Sequence, residues 1–117
     1  MGRKHRSHER VTRLQNLQIN LPYEAIADFC RRWKILRLEV FGSVLRDDFR
    51  PDSDLDFLVS FAPDSNWSLF DLVRAEDDLS EIVGRKVDLV EREPVERSDN
   101  WIRRRAILSA ASVLYVA

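Results

Sequence analysis

Three aspartates and a glycine–serine pair carry most of the chemical content of this 117-residue chain. Asp54 and Asp56 are one residue apart, in a stretch where Leu55, Phe57, Val59 and Phe61 alternate as on a half-buried strand. Successive side chains of a strand point to opposite faces, so the two carboxylates share one face and the apolar residues take the other. Carboxylates held side by side repel unless a cation lies between them. A hard ion such as magnesium suits the pair, because it uses one or two carboxylates and fills its shell with water and substrate phosphates. Asp88 stands in Arg85-Lys86-Val87-Asp88-Leu89-Val90, on the face opposite Val87 and Leu89. If that strand lies beside Asp54–Val59, its carboxylate joins the other two. Gly42 and Ser43 suit the phosphate end of the same site: glycine lets a backbone approach a ligand closely, and serine adds a hydroxyl and an amide. A short helix beginning over Val44–Phe49 would aim N-terminal amides at an anion. Arg46 could then reach either the phosphates or a neighbouring carboxylate.

Gly42-Ser43, a spacer of ten residues from Val44 to Ser53, and Asp54-x-Asp56 together resemble the signature of the minimal nucleotidyltransferases, a branch of the DNA polymerase beta-like nucleotidyltransferase superfamily. Arg46 and Ser53 fall where the longer pattern of that family, Gly-Ser-x-x-Arg through Ser-Asp-x-Asp, places them. The resemblance covers Ile35 to Val90. It implies that Asp54 and Asp56 hold two magnesium ions carrying a nucleoside triphosphate, ATP in the leading case. It implies that Asp88 shares the second ion and helps deprotonate the incoming hydroxyl. Gly42 and Ser43 would hold the β and γ phosphates, with Arg46 and Ser53 in the nucleotide-binding set.

The same resemblance implies a partner. Minimal nucleotidyltransferases are commonly paired with a small helical protein of the HEPN class, whose RNase activity they restrain. Those that retain the motif can act as antitoxins by moving AMP from ATP to a tyrosine hydroxyl of that toxin, within a hetero-oligomer. Two rival readings stand beside this one. One is a contact antitoxin with a vestigial metal site. The other is transfer to a small molecule such as an aminoglycoside, which usually needs a further domain.

The elements that must position these residues follow from periodicity. Pro22 suits the first turn of a helix in which Ile26, Phe29, Cys30 and Trp33 form one buried face, ending near Lys34. Ile35–Phe41 reads as the first strand, with Leu36, Leu38 and Val40 on one face and Arg37 and Glu39 on the other, less covered one. Ser68 and Asp71 have the form of a capping box opening a helix that Gly84 stops. Glu76, Asp77, Asp78 and Glu81 read as its solvated face. That helix is the crossover a parallel pair of strands requires. After Pro94, Trp101 to about Tyr115 reads as a final helix, striped by Ile107, Ala110 and Leu114 and led by Arg103, Arg104 and Arg105. The order α, β, β, α, β, α predicts an α/β (α+β) fold, a small mixed β-sheet with helices packed on one face and the acidic site open on the other. The resemblance implies the same polymerase beta-like core.

Composition bounds the rest. The length fits one domain, with little room for an acceptor pocket of its own. A net charge of −1 gives no global reason to expect nucleic acid. Met1–Arg13 nevertheless carries Arg3, Lys4, Arg6, Arg10 and Arg13 against Glu9, and a basic arm over residues 1–20 ahead of a domain over 21–117 is a possible grip for nucleic acid or an acidic partner. The plainer reading is a solvated terminus. Cys30, the single cysteine, has no disulfide partner and reads as a small buried hydrophobe. No apolar run approaches the ~20 residues of a membrane span, no secretory signal follows the basic start, and a cytoplasmic location is expected.

Overall fold

The structure is a computed structural model and describes residues 9–15, 17, 19–47 and 49–117. Its elements run β1 (Arg10–Val11), α1 (Tyr23–Arg32), β2 (Ile35–Phe41), a 3-10 turn (Gly42–Leu45), β3 (Leu55–Phe61), α2 (Leu69–Val83), β4 (Val87–Glu91), α3 (Arg92–Glu96), α4 (Trp101–Ala110) and β5 (Ser112–Val116). The five strands form one mixed sheet in the order β1-β5-β2-β3-β4. Only β3 and β4 pair in parallel, and α2 makes the crossover between them.

Alternation sorts the sheet's side chains onto two faces. Leu38, Val40, Leu55, Phe57 and Val59 join Ile26, Phe29, Cys30, Ala75 and Leu79 in the main core, beneath α1 and α2. The other face carries Leu58, which packs with Val95 of α3 and Ile107 of α4, alongside Phe41 and Val90. The sequence pointed to helices on a single face, but α3 and α4 cover part of the second, leaving the acidic end of that face open.

Local signals explain the element ends. Ser68 and Asp71 form the reciprocal capping box, and Gly84 closes α2 in the left-handed conformation at φ 77°. α1 ends at Arg32, and the chain turns at Lys34, left-handed at φ 54° without being glycine, whose carbonyl accepts from the Ala62 amide at 2.8 Å.

Several expectations are corrected. The final helix ends at Ala110, and Ser112–Val116 is a strand lying between β1 and β2. Bulges in β2 leave Leu36 exposed and put Glu39, expected on a poorly covered face, under α3 at 3 % exposure. There Glu39 pairs with Arg37 and Arg92. Two of the four acids expected to be solvated have structural partners: Glu76 accepts from the Leu89 amide at 2.8 Å, and Asp78 accepts from Arg32 and from the Trp33 indole. The described part of the arm is docked, since Arg10 and Val11 pair with Val116 and Tyr115. Arg3, Lys4 and Arg6 lie outside the described residues. Cys30 is fully buried, as its place on the apolar face of α1 predicts, and burial pushes its thiol pKa far up.

Candidate active site

The strand register brings the chemistry together. Asp56 on β3 is the antiparallel partner of Phe41 and the parallel partner of Asp88 on β4. Paired residues share a face, so Asp56 and Asp88 lie side by side at one end of the sheet. Asp54, just before β3, is exposed, as is Asp88, whereas Asp56 is half-buried. Partial burial, then the charges of Asp88 and Asp54, push the Asp56 carboxyl up to about 6, while the Arg46 guanidinium pulls the other way. The arrangement is therefore anion-rich and short of positive charge.

Gly42 directly follows β2, beside this group. Its backbone has φ 83°, and a methyl group added there would collide with Asp56 Oδ2 and stand 3.3 Å from Asp56 Cγ. Glycine is thus required twice over, by conformation and by space. The helix expected over Val44–Phe49 is a 3-10 turn, Gly42–Leu45, closed by the Arg46 amide donating to the Ser43 carbonyl at 2.9 Å. Four residues supply local amides rather than a helix dipole. Asp48, within that expected helix, lies outside the described residues.

Arg46 is exposed, and its charge acts on Asp56. Ser53 is a turn residue here: its hydroxyl accepts from the Arg50 amide at 2.9 Å. Arg85, which sequence reading left without a role, staples this connection. Its guanidinium donates to the Ser53 carbonyl at 3.0 Å and lies 4.6 Å from the Phe49 ring centroid. Glu39 was likewise missed. It shares the face of Asp56 one strand pair along, opposite Leu58, and its ion pair with Arg92 ties the start of α3 to the sheet. No local signal could have linked residues 53 positions apart.

As a donor set, exposed and half-buried carboxylates that destabilise one another suit a hard cation. Among the described residues no group of three or more His, Cys, Asp or Glu side chains is placed to hold a metal ion by itself. Water and substrate oxygens would have to complete the shell, as magnesium prefers.

The nucleotidyltransferase domain model matches residues 23–113, which span α1 through the first half of β5. The chain belongs to the nucleotidyltransferase domain family. A provisionally named minimal nucleotidyltransferase of solved structure is 34 % identical, with 77 % of this chain and 86 % of that one covered at a TM-score of 0.59. The provisionally named protein adenylyltransferase MJ0435 of Methanocaldococcus jannaschii is 39 % identical over 56 residues, 48 % of this chain. The chain thus spans 58 % of that curated relative. A toxin–antitoxin crystal structure with AMP-PNP has the same fold, at a TM-score of 0.64 and 20 % identity over 83 % of this chain and 75 % of that one. In this nucleotidyltransferase domain, the matched segment contains Gly42, Ser43, Asp54, Asp56 and Asp88. No helix among the described residues is long and apolar enough to cross a membrane.

Proposed function

We propose that the protein is a magnesium-dependent protein adenylyltransferase that moves AMP from ATP to a tyrosine hydroxyl of a HEPN-type RNase toxin, and so acts as its antitoxin in the cytoplasm. The observation that carries the reading is the packing of Gly42 against the Asp56 carboxylate, with Asp88 in register beside it. It sets a turn suited to phosphate against a surplus of negative charge suited to a divalent cation. The name of the relative from Methanocaldococcus jannaschii and the toxin–antitoxin complex of the same fold support the choice of chemistry and partner.

Asp54 and Asp56 would hold the magnesium, with Asp88 contributing; when bound, the ion would supply Lewis-acid charge to the phosphates and lower the pKa of the attacking hydroxyl. Backbone amides at Gly42 and Ser43 bind the β and γ phosphates, and Arg46, whose charge acts on Asp56, adds positive charge for the nucleotide. Asp88 accepts the phenolic proton. The tyrosine oxygen bonds to the α phosphorus, the bond from that phosphorus to the bridging oxygen breaks, and the electron pair leaves with diphosphate. The exposure of Asp54 and Asp88 leaves room for an acceptor carried by another protein.

Incubation of the chain with a HEPN-type partner, ATP and magnesium, followed by intact-mass measurement, tests this. The partner should gain an adenylyl group, and Asp54→Asn/Asp56→Asn should abolish the gain. A partner that binds tightly, loses RNase activity and never changes mass would establish a contact antitoxin instead.

A further inference from the structure

Helix α4 shows solvent what a folded surface usually hides. Trp101 is 58 % and Ile102 65 % exposed. Arg103 and Arg105 beside them are also exposed, and among the described residues no carboxylate pairs with either. Arg104 differs, because it turns back to donate to the Ser98 carbonyl. The helix has no acid in its first turn.

Its opposite side is committed. Ile107 packs with Leu58 and Val95 on the sheet face that carries Asp56 and Asp88, and Leu108 and Ala111 adjoin the same cluster. The C-terminal end of α4 leads into Ser112, the strand partner of Val40, and the helix touches the turn at 42–45. Trp101 therefore lies about 14 Å along the axis from the end nearest the site, at 1.5 Å per residue. Cavities lie elsewhere: one of about 360 Å3 is lined by Arg13, Leu17, Ile19 and Tyr23, and one of about 310 Å3 by Cys30, Lys34, Ala62 and Tyr115.

We propose that α4 is the docking surface for the acceptor, and that the acceptor is a protein presenting carboxylates around an apolar depression. The inference rests on the transferase reading above. Exposed tryptophan and arginine around an apolar centre match the composition of interface hot spots. Two uncompensated arginines select an acidic counterpart. Glu93 and Glu96, just before α4, already pair with Arg97 and Arg92, so the charges left over on this face are those of Arg103 and Arg105. The aliphatic Ile102 beside Trp101 suits an apolar protein side chain better than a run of stacked bases.

Random copolymers of glutamate with tyrosine, and of lysine with tyrosine, are the probes. With magnesium and labelled ATP, the chain should label the acidic copolymer with a KM about tenfold below that for the basic one. Arg103→Glu/Arg105→Glu should reverse that order, and Trp101→Ala/Ile102→Ala should raise KM several-fold, with ATP affinity held in each. All four positions face solvent, and circular dichroism verifies folding. Unchanged KM in the charge-reversed variant overturns the docking surface, as does stronger competition for α4 by polyuridylate than by the acidic copolymer. Anisotropy of fluorescent copolymers without ATP separates the two readings. Binding that depends on α4 without any transfer sinks the transferase reading alone, whereas transfer indifferent to α4 sinks the docking surface alone.

Discussion

Gly42 and Asp56 meet with almost no room to spare. Gly42→Ala would have to hold a non-glycine residue at φ 83° and push the Asp56 carboxylate aside. The strain costs about 1–2 kcal/mol, and the displaced carboxylate should cost transfer about 100-fold, on the scale of a misplaced catalytic group. Thermal melts and single-turnover rates check the two parts separately. Asp56 also sets a pH dependence. Its pKa in the folded chain, about 6, exceeds the ordinary 3.8, so the folded form holds the proton more tightly. That contribution to stability is full below pH 3.8 and is lost as the pH rises to about 6. Asp56→Asn should therefore stabilise the magnesium-free protein at pH 7.5 by about 1–2 kcal/mol after solvent screening, and leave it nearly unchanged at pH 4. Urea melts of both proteins at the two pH values measure the difference. At this scale the sequence was legible where the chemistry is local. The alternation around Asp56 and Asp88 was enough to anticipate the face that those two share. Ser53 shows the limit, because the same position suits both a motif and a turn, and only the Arg50 amide donating to its hydroxyl reveals the turn.

Elements with strong local signals formed where their residues direct: the capping box at Ser68, the glycine stop at Gly84, the alternating strand of Leu55–Phe61. Ser112–Val116 did not follow local reading. Ile107, Ala110 and Leu114 fall at helical spacing, and a short apolar run at the end of a helix does not announce a change of period. The deciding interactions are remote, since Val113 and Tyr115 pair with Glu39 and Leu38 in a strand far back in the chain. The same blindness applies to Glu76, which by sequence is one more acid on a charged helix. It accepts from the Leu89 amide, and Ser80 accepts from the Val87 amide at 3.1 Å, so α2 seals the outer edge of β4, the last strand of the sheet. Edge amides left bare invite pairing with another chain. Glu76→Ala should lower stability by about 1–2 kcal/mol through the unsatisfied amide. The Leu89 amide should then exchange hydrogen faster than its neighbours on β3. Exchange unchanged at Leu89 would show that water replaces the carboxylate without loss.

For the whole molecule, the arm and the C-terminal strand close the sheet from the side opposite β4, and they do so through one buried carboxylate. Arg31 donates to Glu9 through both Nε and a terminal nitrogen at 2.9 Å, and the Tyr115 hydroxyl donates to it at 2.7 Å. Burial, then the bond to Glu9 and its charge, push the Tyr115 hydroxyl far up, and the same carboxylate raises Arg31. Three distant stretches, β1, α1 and β5, are thus tied at a point where Glu9 has 2 % of its side chain exposed. Sequence reading counted Glu9 only as the lone acid of a basic arm, because nothing near it in the chain marks a partner 22 or 106 residues away. Glu9→Ala removes the acceptor from a buried tyrosine and one counter-charge from a mostly buried arginine, which keeps its pairing with Asp28. Breaking such a pair from one side should cost about 2–4 kcal/mol, whereas Glu9→Gln, which can still accept from Tyr115, should cost less. The network lies at the end of the sheet where Arg10 meets Val116, away from the pairing of Val40 with Ser112 beside the candidate site. Urea melts should therefore show both losses while ATP affinity at 25 °C stays that of the parent. A loss of ATP affinity in step with stability would mean that the two ends of the sheet are coupled rather than independent.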